Sequence, residues 1–259
     1  MIVTAMSVLI FIVMVCLYMY WQAHRNRCLH STCFIDGLPK PFDGTTLFFI
    51  SDIHKRTLSK NWIDTLPRCD FVFIGGDLTE AGVKKHKVEE NVHQLCRLGK
   101  SVYFVWGNND HEWGEGSLSK LLHKYGVHEL NNCSVEHVKQ GEKLTIAGVD
   151  DLGYYRTDIH AALNSTDLPL IFLAHNPEVI YYRDLPYKCD LLLCGHTHGG
   201  QVRLFGLGVT EKGGWKKIGG KCHMLVSNGY GTTRIPFRLG APPETHVITL
   251  RSGSNVSSK

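Results

Sequence analysis

The chain has 259 residues, 43% of them hydrophobic and 20% charged, with 28 Lys and Arg against 24 Asp and Glu for a formal charge of +4. That apolar share excludes a disordered chain and supplies the core of one large domain or two small ones. The charge favours anionic substrates or surfaces but is too mild to argue for a nucleic-acid partner.

Taken in chain order, Ile2 to Trp21 is apolar apart from Thr4 and Ser7, with no charge and no proline. A helix of that length reaches roughly 30 Å, the thickness of a bilayer core. Tyr18, Tyr20 and Trp21 gather at one end, as an interfacial aromatic belt does. A cleaved signal peptide would carry a basic start, a shorter apolar stretch and a small-residue cleavage site. Here no Lys or Arg precedes the run and large residues follow it. Residues 1–22 therefore read as a single-pass membrane anchor. Arg25 and Arg27 follow it, and the positive-inside rule then keeps the rest of the chain in the cytoplasm. The nine cysteines, an odd number lying mostly inside apolar runs such as Leu191 to Cys194, read as reduced core residues.

Residues 23–45, with Pro39 and Pro41, read as a juxtamembrane connector, residues 46–251 as the domain, and residues 252–259 as a disordered tail. Strands are expected at Thr46 to Ser51, Asp70 to Gly75, Ser101 to Trp106, Lys143 to Val149, Pro169 to Ala174, Asp190 to Cys194, Cys222 to Ser227 and Glu244 to Leu250. Helices are expected at Lys60 to Leu66, Lys84 to Leu98 and Ser117 to Tyr125. Alternating strand and helix predicts crossover connections and a layered α/β fold, and the extra late strands imply a second sheet. The basic run Lys84-Lys85-His86-Lys87 opens a predicted helix and reads as its solvated face, offset by Glu89 and Glu90.

Five of the strand ends carry side chains that bind metals. They are Asp52-Ile53-His54, Gly75-Gly76-Asp77, Gly107-Asn108-Asn109-Asp110, Ala174-His175-Asn176 and Gly195-His196-Thr197-His198-Gly199-Gly200. Any one alone is bland; a lone D-x-H usually marks a strand end or a helix cap. Together they describe one site at one sheet edge, with donors enough for two ions. In an extended segment residues i and i+2 share a face, so Asp52 with His54, and His196 with His198, are each expected to reach one ion together. A mixed set of carboxylate, imidazole and amide oxygen suits Mn, Fe or Zn rather than Mg or Ca.

The order D-x-H, G-D, G-N-x-D, H, G-H-x-H resembles the signature of the calcineurin-like metallophosphoesterases, over roughly residues 46 to 250. Ser51-Asp52-Ile53-His54, Gly75-Gly76-Asp77-Leu78-Thr79, Gly199-Gly200-Gln201 and Ser227-Asn228-Gly229-Tyr230-Gly231 are similar to a membrane-anchored bacterial branch of that family. The resemblance implies a four-layer αββα sandwich with two divalent ions at the strand exits. It implies Asp52, His54, Asp77 and His198 on one ion, and Asp77, Asn108, His175 and His196 on the other, with Asp77 bridging. It implies hydrolysis of a phosphodiester, pyrophosphate or lipid-linked phosphate by a hydroxide held between the metals, with the membrane anchor keeping the site near the bilayer.

The chain departs from the family pattern at Asn109, where the usual motif has a histidine held to protonate the leaving group. An amide donates a hydrogen bond but delivers no proton at neutral pH. Either the leaving group departs unassisted, or His111 swings in as the acid; the plain alternative for His111 is a loop histidine in solvent. Asp110 reads as a carboxylate behind the ligands, orienting one of them or a catalytic histidine. The competing class is a protein that keeps its metals, catalyses weakly and serves as a binding module at the membrane or cell wall.

Overall fold

Runs such as Leu47 to Ile50 and Leu191 to Cys194 are apolar at every position, which suits strands covered on both faces. In the computed structural model, which describes residues 1–164, 166–182 and 185–253, these runs are central strands of two six-stranded sheets. The first half holds helix α1 (Ile2–Ala23), β1 (Cys28–Ile35), β2 (Thr46–Ile50), α2 (Lys60–Ile63), β3 (Cys69–Ile74), α3 (Lys85–Cys96), β4 (Gly99–Phe104), α4 (Asn108–Lys124) and β5 (His128–Glu129). The second half holds β6 (Cys133–Lys139), β7 (Glu142–Gly148), β8 (Leu170–Leu173), β9 (Leu191–Cys194), β10 (Gly214–Ile218), β11 (Cys222–Val226) and β12 (Thr245–Ser252). The strand orders are β1-β12-β2-β3-β4-β5 and β10-β11-β9-β8-β7-β6.

Side-chain alternation assigns the layers. Leu47, Phe49 and Phe73 face Ile146, Leu173 and Leu193 in the core between the sheets. Phe48, Ile50 and Val72 turn the other way, onto Val88, Val92 and Leu95 of α3 and Leu118 and Leu122 of α4. Phe172, Leu192 and Met224 cover the outer face of the second sheet with Ile159, Ala162 and Leu185. The arrangement is the expected four-layer sandwich. The run Lys84-Lys85-His86-Lys87 is exposed, as a solvated helix face should be.

Three expectations change. The connector begins with a strand: β1 pairs in parallel with β12 from Cys28↔Thr245 to Ile35↔Ser252. The polar run His30-Ser31-Thr32 at its middle hid it, and only Cys33 and Ile35 of this edge strand are fully buried. α4 starts at Asn108 rather than Ser117; Gly114 breaks its regularity with φ 118°, which obscured the first turns. β12 runs through Ser252, whose N–H donates to Asp43 Oδ1 at 2.9 Å, while residues 254–259 of the expected tail lie outside the described residues.

α1 is long and apolar enough to cross a membrane, with a mean hydropathy of 2.7 over its best window and none of that window buried. Its end is joined to the domain. Arg56 donates to the carbonyls of His24 and Arg25 and to Asn26 Oδ1, and Tyr230 Oη donates to the same Asn26 oxygen at 2.6 Å. The Arg56 guanidinium lies 3.7 Å from the Tyr230 ring centroid, and Trp62 stacks on the same tyrosine.

A chain beginning at Thr46 would lose Ile35, Leu38 and Phe42, each almost fully buried. Burying such side chains contributes about 1.5–3 kcal/mol each, a loss comparable with the roughly 5–15 kcal/mol of a whole domain. A truncation starting at Thr46 is expected to be insoluble or to melt far below the full chain by circular dichroism. Equal melting temperatures would show that β1 is dispensable.

Candidate metal centre

All five motif segments lie at strand exits, three from the first sheet (β2, β3, β4) and two from the second (β8, β9). The site is therefore a junction of two sheets rather than the edge of one. Short bonds lock the junction. The Asp52 N–H donates to Gly76 O at 2.9 Å, and the Ile53 N–H donates to Asp77 O at 2.7 Å. The His196 N–H donates to Asp52 Oδ1 at 3.0 Å, and His175 Nδ1 bonds Gly75 O at 2.9 Å, both across the gap between sheets.

The backbone here is not extended. Asp52, His54, Asp77, His196 and His198 all have positive φ, between 50° and 70°. Non-glycine residues take this left-handed conformation at a cost and keep it where the surroundings over-determine it. The expectation that i and i+2 share a face along a strand therefore fails as a mechanism: tight left-handed turns aim these side chains. It also fails in outcome for His196 and His198. His198 Nε2 lies 3.0 Å from His54 Nε2 and 3.5 Å from Asp52 Oδ1. His196 Nδ1 instead lies 3.1 Å from His175 Nε2.

Two sets of ligand atoms within 4.8 Å of one another result: Asp52, His54 and His198, and Asp52, Asp77 and His175, every residue buried. Asp77 Oδ2 sits between them, 3.7 Å from His54 Nε2 and 3.3 Å from His175 Nε2. Asn108 opens α4, and its Oδ1 is buried with no hydrogen-bond partner. An amide oxygen left so is costly in a dry interior unless it binds something. Facing imidazole nitrogens, carboxylates and this orphaned oxygen fit a pair of divalent cations. The packing leaves no room for side chains around them: a Cβ on Gly195 would lie 2.5 Å from Asp52 Oδ2, and one on Gly107 would lie within 3 Å of the Asp77 carboxylate.

Residues 45–200 match the calcineurin-like phosphoesterase family. The chain belongs to that family. It is 41% identical over 209 residues to the Bacillus subtilis (strain 168) protein YpbG, covering 79% of this chain and 80% of that one. It is 29% identical to the metallophosphoesterase YkuE of the same strain, covering 90% and 88%. It is 29% identical to a Danio rerio transmembrane protein with a metallophosphoesterase domain, covering 84% of this chain and 55% of that one. A putative 5'-nucleotidase structure from Staphylococcus aureus shares the fold, with a TM-score of 0.51 at 10% identity over 84% of this chain and 56% of that one. The chain is a metal-dependent phosphohydrolase of this calcineurin-like type.

The three residues expected to act beside the metals have defined partners. Asn109 grips Asp77: its backbone N–H donates to Oδ1 at 2.8 Å and its Nδ2 to Oδ2 at 2.7 Å. Asp110 is fully buried and accepts from the N–H groups of Gly107 and Thr79, each at 3.0 Å, so it caps α4 and pins the β3 exit loop. Burial and the neighbouring Asp77 push its pKa up to about 7. His111 is not a solvent loop residue. It lies on α4 with a side chain only 2% exposed, Nε2 2.9 Å from Asp150 and Nδ1 3.0 Å from Glu115. Burial alone would lower its pKa, but the bonds to Asp150 and Glu115 outweigh it and raise the value.

Three residues that sequence reasoning did not single out complete the site. Glu80 Oε2 lies 3.0 Å from His54 Nδ1, the carboxylate–histidine pairing that orients metal-binding imidazoles. Arg238 is completely buried; its Nη2 lies 3.2 Å from His198 Nδ1 while the guanidinium also donates to the carbonyls of Asn228, Gly231 and Ala241. Burial, followed by the effects of His54 and Arg238, holds His198 down at about 3, as a neutral imidazole. Asp151 is buried with both carboxylate oxygens unpartnered. Only the D-D pair at Asp150-Asp151 carried any local signal, and Glu80 and Arg238 carried none, because each acts from an ordinary-looking loop.

A cavity of about 360 Å³ opens beside His196, with Lys212 and Lys216 among its lining and Ile180, Ile218 and Met224 as apolar wall. A larger one of about 760 Å³, lined by Arg68, Arg97 and Lys100, lies where β3 and β4 begin, at the opposite end of the sheet from the centre.

Proposed function

We propose that this chain is a dinuclear-metal phosphoesterase held at a membrane by α1, and that it hydrolyses a phosphodiester, pyrophosphate or lipid-linked phosphate bond. The observation that carries the reading is the buried set of donors whose imidazole nitrogens face one another at 3.0 and 3.1 Å around Asp77. Asp52, His54, Asp77 and His198 would hold one ion, and Asp77, Asn108, His175 and His196 the other. The donor chemistry suits Mn, Fe or Zn. Bound there, the pair supplies an activated water and the positive charge a phosphoryl transition state needs.

The chain's own contribution is to fix that frame beforehand. Asn109 holds both oxygens of Asp77, Glu80 orients His54, the Gly75 carbonyl sets the tautomer of His175, and Arg238 buttresses His198. Such supports keep a site organised before charge develops. Lys212 offers charge to a phosphate near His196, Lys216 beside it is paired with Glu211, and the apolar wall suits a substrate with an apolar part.

An elemental analysis of the purified full chain tests the assignment. About two divalent ions per chain are expected, with a clear loss in Asp77→Ala and measurable turnover of an aryl phosphodiester with added Mn. A stoichiometry near zero, or one indifferent to Asp77, would sink the ligand set. Two ions without turnover would favour the weakly catalytic binding protein.

No side chain at the Asn109 position can protonate a departing oxygen, and both His111 nitrogens are engaged by carboxylates. The rate should therefore fall steeply as leaving-group pKa rises, since a positioned acid typically contributes about 10²–10⁴-fold. Asn109→His should help alkyl phosphodiesters more than aryl ones, and His111→Ala should change little. Similar chemical rates on both ester classes in the wild type, undisturbed by His111→Ala, would mean that some other group is the acid.

Arg25 and Arg27, just beyond α1, favour a cytoplasmic domain. Protease added to intact cells after wall removal is expected to spare the domain. Digestion without lysis would reverse the orientation.

A further inference from the structure

The H-x-H motif runs on into an apolar hairpin. Leu204, Phe205, Leu207 and Val209, together with Ile235, are 58–95% exposed. The hairpin is firmly held. Leu204 and Leu207 exchange two backbone hydrogen bonds of 2.9 Å, and the Arg203 guanidinium donates to the carbonyls of Gly199, Gly206 and Thr210. Its side chains thus stand exposed on a hydrogen-bonded support, uncovered by any of the described residues.

The base of the hairpin is joined to α1 through residues 238 and 239. The Arg203 N–H donates to Leu239 O at 2.7 Å, the Leu239 N–H donates to Gln201 O at 3.0 Å, and the next residue back, Arg238, donates its N–H to Met19 O at 3.1 Å. Met19 lies inside α1, four residues before its end at Ala23. That is about 6 Å up the helix axis. The domain therefore reaches alongside the last turn of the apolar run, the level at which hydrocarbon gives way to headgroups. Arg25, Lys212 and Arg234 are exposed near these segments in the chain. Glu211, beside Lys212, is exposed too but paired with Lys216. Apolar side chains with cations close by in the chain, unpaired among the described residues, are the makings of an interfacial contact with anionic lipid.

We propose that the 202–209 hairpin and Ile235 rest in the surface of the bilayer that holds α1, an anionic lipid surface, so that the metal centre opens at headgroup level. This rests on reading α1 as a membrane span. His198 leads directly into the hairpin, and Thr210, Lys212 and Lys216, just beyond it, line the cavity beside His196. A phosphate ester carried by a lipid headgroup would then reach the centre without leaving the membrane. The inference narrows the substrate class of the proposed phosphoesterase to esters presented at a lipid surface.

The test uses the full chain in phosphatidylcholine–phosphatidylglycerol vesicles whose acyl chains are brominated, since bromine quenches nearby indole emission. Phe205→Trp and, separately, Val209→Trp add one indole to the hairpin, and the wild type supplies the background. Each added indole is expected to lose emission in brominated vesicles relative to unbrominated ones, and to lose less when phosphatidylglycerol is omitted. The emission removed by Trp21→Phe reports the anchor in the same samples. If Trp21 is quenched and neither hairpin indole is, the hairpin faces solvent or another protein and the proposal is overturned with the anchor intact. If Trp21 is not quenched either, the anchor reading fails and takes the proposal with it.

Discussion

Asp77 is a carboxylate almost cut off from water, and the rest of the centre is arranged around it. Burying an ionised group is costly unless it is paired and hydrogen-bonded. His175 and His54 face one of its oxygens from two sides, and Asn109 holds both oxygens with two N–H donors. Burial would raise its pKa, but His175, His54 and Asn109 together drive it well below the usual carboxylate range. A carboxylate so stabilised stays anionic and immobile, which is what a shared ligand between two cations requires. On this view, Asn109 is first of all the residue that holds Asp77 in place, and its lack of an acidic proton is a consequence.

That demand sets the backbone. Five of the candidate ligands take left-handed φ values, in turns that follow directly on the strand ends. The turns bring the two sheets within bonding distance, and glycines supply the space. Gly76 has φ 83°, and a Cβ there would come 2.6 Å from His175 Nδ1. The large apolar core between the sheets offsets this local strain, holding the strand exits at fixed separations. Sharing of a face by residues i and i+2 has a condition. It presumes extended backbone, and the motif residues lie just past the point where the strands stop being extended.

The helix α1 is tied into the same network. Arg56 clasps residues 24–26 and the ring of Tyr230, whose own N–H donates to Ser51 O beside Asp52. Arg238 touches Met19 through its backbone and His198 through its guanidinium. A helix with only one buried residue thus ends in contacts one side chain removed from the candidate ligands. β1 continues the connection from α1 into the first sheet by pairing with β12.

The sequence by itself determined the layered architecture, the helix fit for a membrane and the seven candidate ligands. These signals are local: apolar runs mark buried strands, an uncharged run of bilayer length marks a helix able to span a membrane, and glycine beside Asp, Asn or His marks each strand exit. The family resemblance put His196 and His198 on different ions while their spacing put them on one, and only the tertiary structure shows which side chains each histidine faces. His196 and His198 are two residues apart yet face different partners, because each takes its place from a different neighbour across the sheet junction. Tertiary structure alone decided that residues 28–35 join the sheet, since an edge strand with a polar run at its middle has a weak pattern. Glu80 and Arg238 were illegible for the same reason: each works by contact with a histidine that is 26 or 40 residues away in the chain, and no local pattern encodes a distance closed only by folding.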